Sequence, residues 1–241
     1  MGSNLTSRSA SFHEQGIAGV LLTPLKWFCI GAILLLGLIL AAWIIDWIFV
    51  FRIWPEGIAK LQGILEQEIT RTYLIECWNN DLPKLATGIA NFLYTLIFRV
   101  TGIHEVGTRF ADGAALSVPD TIVRNAYVAN FEGIHVAMLG TQLFGVRLAT
   151  LIAVLPLMAL VYAVAMADGL VRRAIRRVSG GRESSSIYHR AKYLQFVILV
   201  SCMAILLLWP SLIDFLAISS MVLAIAAVLA RVQWCYYKKH L

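Results

Sequence analysis

The sequence is short of charge. Lys, Arg, Asp and Glu make up 14% of its 241 residues, against a usual share of about 25%. A soluble domain of this size needs a polar shell, and this composition cannot supply one. Disorder is excluded too, because disordered chains are rich in charge and poor in apolar residues. Cysteine is scarce, with four residues, which excludes a disulfide scaffold. Apolar–polar alternation with a period of two is missing at any useful length, so the fold reads as all-α. Catalytic signatures are missing as well. No G-x-x-x-x-G-K-[ST], G-x-G-x-x-G, H-E-x-x-H, G-x-S-x-G or C-x-x-C occurs, so there is no case for ATP use, nucleotide binding or standard hydrolysis. His104, Glu105, His135, Asp112, Asp120 and Glu132 match no metal spacing. The chain offers no catalytic, cofactor-binding or metal-ligating set, and reads as a non-enzyme.

What is present is apolar. Hydrophobic residues make up 59% and mean hydropathy is +0.76. A bilayer core of roughly 30 Å needs about 20 apolar residues per spanning helix. Four runs qualify: 27–51, 146–170, 193–209 and 212–230. They leave an N-terminal tail 1–26, a helical region 52–145, a loop 171–192 and a C-terminal tail 231–241. Pro210 and Ser211 join the last two runs as a tight helical hairpin. Ser211 with Asp214 reads as a capping box that starts the fourth span. Leu85–Phe98 is apolar but short, and fits a buried or interfacial helix better than a span; a re-entrant segment is the alternative. The first run is too long for a signal peptide and lacks a cleavage site, so it reads as an uncleaved anchor.

The net charge of +6 is unevenly spread. The two tails and the loop 171–192 hold twelve Lys and Arg against two acids, while 52–147 holds eight against nine. The positive-inside rule then puts both termini and the loop in the cytoplasm, and 52–145 outside. In a Gram-negative host the external region 52–145 is periplasmic. Cys77 is the only cysteine in the external region, so no intramolecular disulfide is expected there.

Within 52–145, Ile58, Leu61, Leu65, Ile69, Tyr73 and Cys77 recur at spacings of three and four. They predict an amphipathic helix over 56–78, with Lys60, Glu66, Glu68 and Arg71 away from its apolar face. A second helix is predicted over 84–100 and a loop over 101–119. Pro119, flanked by Ser117 and Asp120, starts a third helix that leads into the second span. The apolar faces must be buried against each other, the membrane surface or a partner.

Acids inside spans are functional candidates by default. Asp46 lies near the external end of span 1, at the level of Arg147, where an interface-level pair is expected. Asp168 stands four residues before Arg172, the favourable order for an ion pair on a helix. Small residues recur at every fourth position, as in Ala159, Ala163 and Ala167, and permit close helix approach.

The loop 171–192 is the most distinctive stretch. Arg172, Arg173, Arg176 and Arg177 form a basic stripe, Gly180-Gly181 breaks the helix, and Arg182, Tyr188, His189, Arg190 and Lys192 follow. This set reads as a docking face for anionic lipid or a partner protein. Arginines this close to a bilayer, with no aromatic stacking platform, argue against direct nucleic-acid contact.

The motifs Asp168-Gly169-Leu170-Val171-Arg172-Arg173, Gly180-Gly181-Arg182-Glu183-Ser184-Ser185 and Tyr188-His189-Arg190-Ala191-Lys192, in this four-span layout, resemble a family of integral membrane proteins from integrating conjugative elements and related plasmids. Genes of that family lie near that of the coupling ATPase that feeds DNA to a type IV secretion channel. The resemblance covers spans 1 to 4 and brings no catalytic residues. It implies a non-enzymatic inner-membrane component of conjugative DNA transfer. Implied partners are the lipid bilayer and other conjugation membrane proteins, the coupling ATPase among them, and oligomers are compatible with it. The alternatives are a small transporter or permease subunit, and a membrane protein that excludes redundant transfer.

Overall fold

A computed structural model of the chain describes residues 4–74, 81–111, 118–180, 185–212 and 214–237. The chain is about 90% helical, with no strand among the described residues. The helices are α1 (Asn4–Ile48), α2 (Ile58–Leu74), α3 (Leu82–Tyr94), α4 (Ile103–Ala111), α5 (Val118–Ala129), α6 (Phe131–Val178), α7 (Ser185–Leu208) and α8 (Phe215–Cys235). Two π-helical turns, Phe49–Ile53 and Thr95–Arg99, extend α1 and α3.

Residues 1–41 and 42–241 form two compact units. In the first, α1 begins at Asn4, where a tail was expected, and continues past Pro24. Four segments are long and apolar enough to cross a membrane: Pro24–Ile53, Phe131–Val178, Ser186–Leu208 and Ala217–Cys235. Each contains most or all of one of the expected runs.

α6 organises the second unit. Its 48 residues reach about 72 Å at about 1.5 Å each, more than twice a hydrocarbon core of roughly 30 Å. Its two halves differ. From Val136 to Leu151 most residues are buried, whereas beyond Leu151 only Gly169 is. Leu155, Leu160 and Val164 are exposed, as lipid-facing side chains are.

The hydrophobic core lies on the first half of α6. It joins Val50, then Leu61, Ile64 and Leu65 of α2, Ala86 and Ala90 of α3, and Val136, Leu139, Leu143, Val146 and Ala149 of α6. The region between the first two spans therefore carries much of the buried hydrophobic core. Its apolar faces are buried on the extension of the second span. Gly145 permits this: a Cβ there would stand 2.6 Å from Ala90 Cα, so α3 and α6 approach backbone to backbone.

Three sequence expectations need correction here. The buried face of α2 carries Leu61, Ile64, Leu65, Glu68 and Thr72, and Tyr73 is exposed. Steps of four on a 3.6-residue helix drift by about 40° each, so the series 61, 65, 69, 73 winds off the core face. Second, 103–111 forms helix α4, where a loop was expected. Gly102, at φ 76°, makes the turn before it, and α3 with its π-turn meets α4 at a 76° bend. That bent pair is together apolar enough to enter a membrane as a broken or re-entrant segment. Third, Asp214 alone caps α8, its carboxylate accepting from the Ala217 N–H at 3.2 Å. The Ser211 hydroxyl instead accepts from Trp209 Nε1. Cys77, Asp112, Ser117, Gly181, Arg182, Glu183 and Ser184 lie outside the described residues.

Candidate functional site

Two charged clusters stand on α6, one near each end of its span. The first is built around Arg147. Its position on the stripe that includes Val136, Gly140, Leu143 and Val146 faces it into the core, so its guanidinium must be satisfied internally. Nη2 reaches Glu68 Oε1 of α2 at 3.2 Å and donates to the Ser211 carbonyl at 2.9 Å. Nη1 donates to the Trp209 carbonyl. One side chain thus ties α6 to α2 and to the turn between α7 and α8. The two carbonyls are those that the end of α7 and the Pro210 turn leave without helical donors.

Asp46 of α1, 3% exposed, sits beside α6 two turns before Arg147. Its carboxylate lies against Gly140, where any side chain would collide with it. One turn earlier, Trp43 donates from Nε1 to Thr141 Oγ1 at 2.9 Å and packs on Phe98 at 5.8 Å. Contrary to the pairing expected from the sequence, Asp46 and Arg147 form no ion pair among the described residues. Glu68, 8% exposed, was placed on the polar face of its helix and is the residue that pairs with Arg147. It lies on the stripe 61, 65, 68, 72, and that register is the sequence signal for its burial.

The second cluster closes the other end. Tyr162, Gly169, Arg173 and Arg176 follow one another at seven, four and three residues, which puts them on one face of α6. That face meets the end of α8. A Cβ on Gly169 would stand 2.7 Å from the Arg231 carbonyl oxygen and 2.9 Å from Trp234 Cβ. Arg173 lies over the Tyr237 ring at 5.3 Å. Arg176 lies over Tyr236 at 3.9 Å and donates from Nη2 to Cys235 Sγ at 2.8 Å. Trp234 Nε1 donates to the Tyr162 hydroxyl at 3.2 Å. Asp168 bridges Arg172 on its own helix, at 3.5 Å, and Arg231 on α8. Tyr188 packs on both His189 and Tyr237.

The basic stretch is therefore divided. Arg173 and Arg176 are half-buried and hold α8, whereas Arg172, Arg177, His189, Arg190 and Lys192 are exposed. The cation–π contacts come from aromatic residues 60 or so positions downstream, in a segment with no motif of its own. Among the described residues no group of three or more His, Cys, Asp or Glu is placed to hold a metal ion.

Residues 55–238 match the family described as IncC plasmid conjugative DNA transfer protein DtrJ-like. The chain belongs to the DtrJ-like family. Its role accordingly lies in plasmid conjugative DNA transfer. No curated protein and no solved structure matches the chain. The DtrJ-like match begins at Pro55, so it takes in Glu68, Arg147 and the whole second cluster but not the first span or Asp46. The resemblance in the sequence extends over span 1, whereas the matched stretch starts after it. In this DtrJ-like chain the Asp168-Gly169 motif is where α6 and α8 lock together, and the arginines that follow are shared between that lock and the surface.

Proposed function

We propose that this DtrJ-like chain is a non-enzymatic inner-membrane scaffold or adaptor of the plasmid transfer apparatus. It crosses the membrane four times, with both termini and the arginine-rich end in the cytoplasm. It docks an anionic surface of the coupling ATPase or of the inner-membrane channel. The observation that carries this reading is the division of the second cluster. Five basic or titratable residues, Arg172, Arg177, His189, Arg190 and Lys192, stay exposed on a platform that Arg173 and Arg176 lock to α8. A platform that spends two arginines on its own rigidity presents the others in fixed positions, as a docking face requires. The α2–α3–α6 core stands on the opposite side and offers exposed Phe92 and Leu96 to external channel parts.

The transporter alternative gains no support at Asp168, which is paired with Arg172 and Arg231. The test is a mating assay. Deleting the gene should abolish plasmid transfer, and the wild-type gene should restore it. A variant with Arg177, Arg190 and Lys192 changed to Ala should accumulate in the membrane and fail to restore transfer. Full restoration by that variant sinks the docking face. Unchanged transfer in the deletion strain sinks the scaffold.

A further inference from the structure

The end of α1, the bend between the second π-turn and α4, and the first turns of α6 border a groove of about 430 Å³. Its walls are apolar: Trp43, Ile44 and Trp47 of α1, Phe98 and Ile103 at the bend, and Ile134 of α6. Trp43 closes the inner side, packing on Phe98 at 5.8 Å and donating to the buried Thr141. The other side is open. Ile44 is 62% exposed and Trp47 50%, and Ile48 is exposed beside them. All three belong to Pro24–Ile53, a segment apolar and long enough to cross a membrane. The exposed apolar side chains of a span face acyl chains, so the groove opens onto lipid and continues the lipid-facing surface of α1. Trp47 stands near the end of that segment, at the depth where tryptophans mark the interface.

Trp47 supplies a second, polar feature. Its Nε1 stands 3.7 Å from where a Cβ on Gly133 would be, so the N–H edge of the indole lies over bare backbone at the rim of the groove. The ring packs on Phe51 at 5.1 Å, but the N–H makes no hydrogen bond among the described residues. An indole N–H at an interface pairs with a polar group. The acceptors that a bilayer holds at that depth, directly beside its acyl chains, are glycerol ester carbonyls. A partner helix does not suit the groove: one turn, about 10 Å across and about 5.4 Å long, takes up about 420 Å³ and would fill it alone. A slender acyl chain does suit it. We propose that this groove holds one diacyl phospholipid of the adjoining leaflet, with an acyl chain against Phe98, Ile103 and Ile134 and an ester carbonyl accepting from Trp47 Nε1.

The full chain in detergent micelles is titrated with phosphatidylethanolamine that carries a photoactivatable diazirine in one acyl chain. Native mass spectrometry counts the bound lipid, and photolysis with peptide mapping locates it. The wild type should retain one lipid and label Ile103 and Ile134, which are half-buried. Trp47→Phe keeps the ring but removes the donor, and should weaken binding about 2- to 10-fold, the range of one neutral hydrogen bond. A diether analogue, which has no ester carbonyl, should bind the wild type as weakly as the ester lipid binds Trp47→Phe. Gly133→Leu puts a side chain into the groove and should abolish the labelling of Ile103 and Ile134; if that variant does not fold, Trp47→Phe and the diether decide. Labelling confined to Leu155, Leu160 and Val164, the exposed face of α6, overturns the proposal, since the lipid is then only annular. Equal binding of ester and diether lipid by the wild type overturns it as well, as does labelling of Ile103 and Ile134 that persists in a folded Gly133→Leu chain.

Discussion

Replacing Arg147 with Met keeps the length and apolar stem of the side chain but removes its donors. Three acceptors then lose their partner: Glu68 Oε1 and the carbonyls of Trp209 and Ser211. The Arg147 and Glu68 side chains are 4% and 10% exposed, so water does not take over. Removing one member of a buried pair costs about 3–5 kcal/mol, because the remaining charge stays buried. The two carbonyls belong to the same network, so their loss is contained in that figure and does not add to it. Glu68→Leu alone should also destabilise, by leaving the guanidinium without its counter-charge. The double variant Arg147→Met/Glu68→Leu removes both charges. It should be more stable than the sum of the single effects implies, by about 1–3 kcal/mol. The assay is reversible unfolding in mixed micelles, read by tryptophan fluorescence, with limited proteolysis at the α7–α8 turn as a local probe. The turn should become protease-sensitive in Arg147→Met before the rest of the molecule does. A loss below about 0.5 kcal/mol, or strict additivity in the cycle, would refute the buried-network reasoning.

Other consequences are equally concrete. Gly145→Leu forces α3 and α6 apart and should cost more than the usual overpacking range of about 1–3 kcal/mol, since the obstacle is backbone; the same unfolding assay measures it. Gly169→Leu should free the end of α8 and expose Cys235, which is buried, to maleimide labelling in membranes; an unchanged labelling rate contradicts the lock. Trp234→Phe removes one hydrogen bond to Tyr162 at little change in shape, and should cost about 1 kcal/mol. Reporter fusions after residue 180 and at the C-terminus should report cytoplasm, and one after residue 101 the outside; the opposite pattern contradicts the assigned orientation.

Spans were legible in the sequence because apolarity over 20 residues is a local property. The Asp168–Arg172 pair and the Asp214 cap were legible for the same reason. The core was not. Its elements join α2 and α3 to residues 136–151 of α6, and nothing in the charge or hydropathy of 52–145 says that its helices pack on the extension of a later span. Glu68 shows why. In a region with seven basic and nine acidic residues, one acid on a helix reads as a surface charge until its partner, 79 positions away, is known. Arg173 and Arg176 were grouped with the docking residues because a stripe of arginines looks uniform in sequence. Their separation from Arg172 and Arg177 depends on Tyr236 and Tyr237, whose rings meet them only in the folded chain. The DtrJ-like match places the chain in conjugative transfer but does not point to any of these residues.

The claim that matters most is that the exposed basic face docks a component of the transfer machinery while the inner arginines only build the platform. Co-purification of the coupling ATPase and channel proteins from crosslinked membranes tests it directly, in cells carrying Arg177→Ala/Arg190→Ala/Lys192→Ala or Tyr236→Leu/Tyr237→Leu. The account predicts that the first variant folds with wild-type stability and loses the partner. It predicts that the second loses stability at the end of α8 but still recovers some partner. Retention of the full partner yield by the folded basic-face variant would contradict the account.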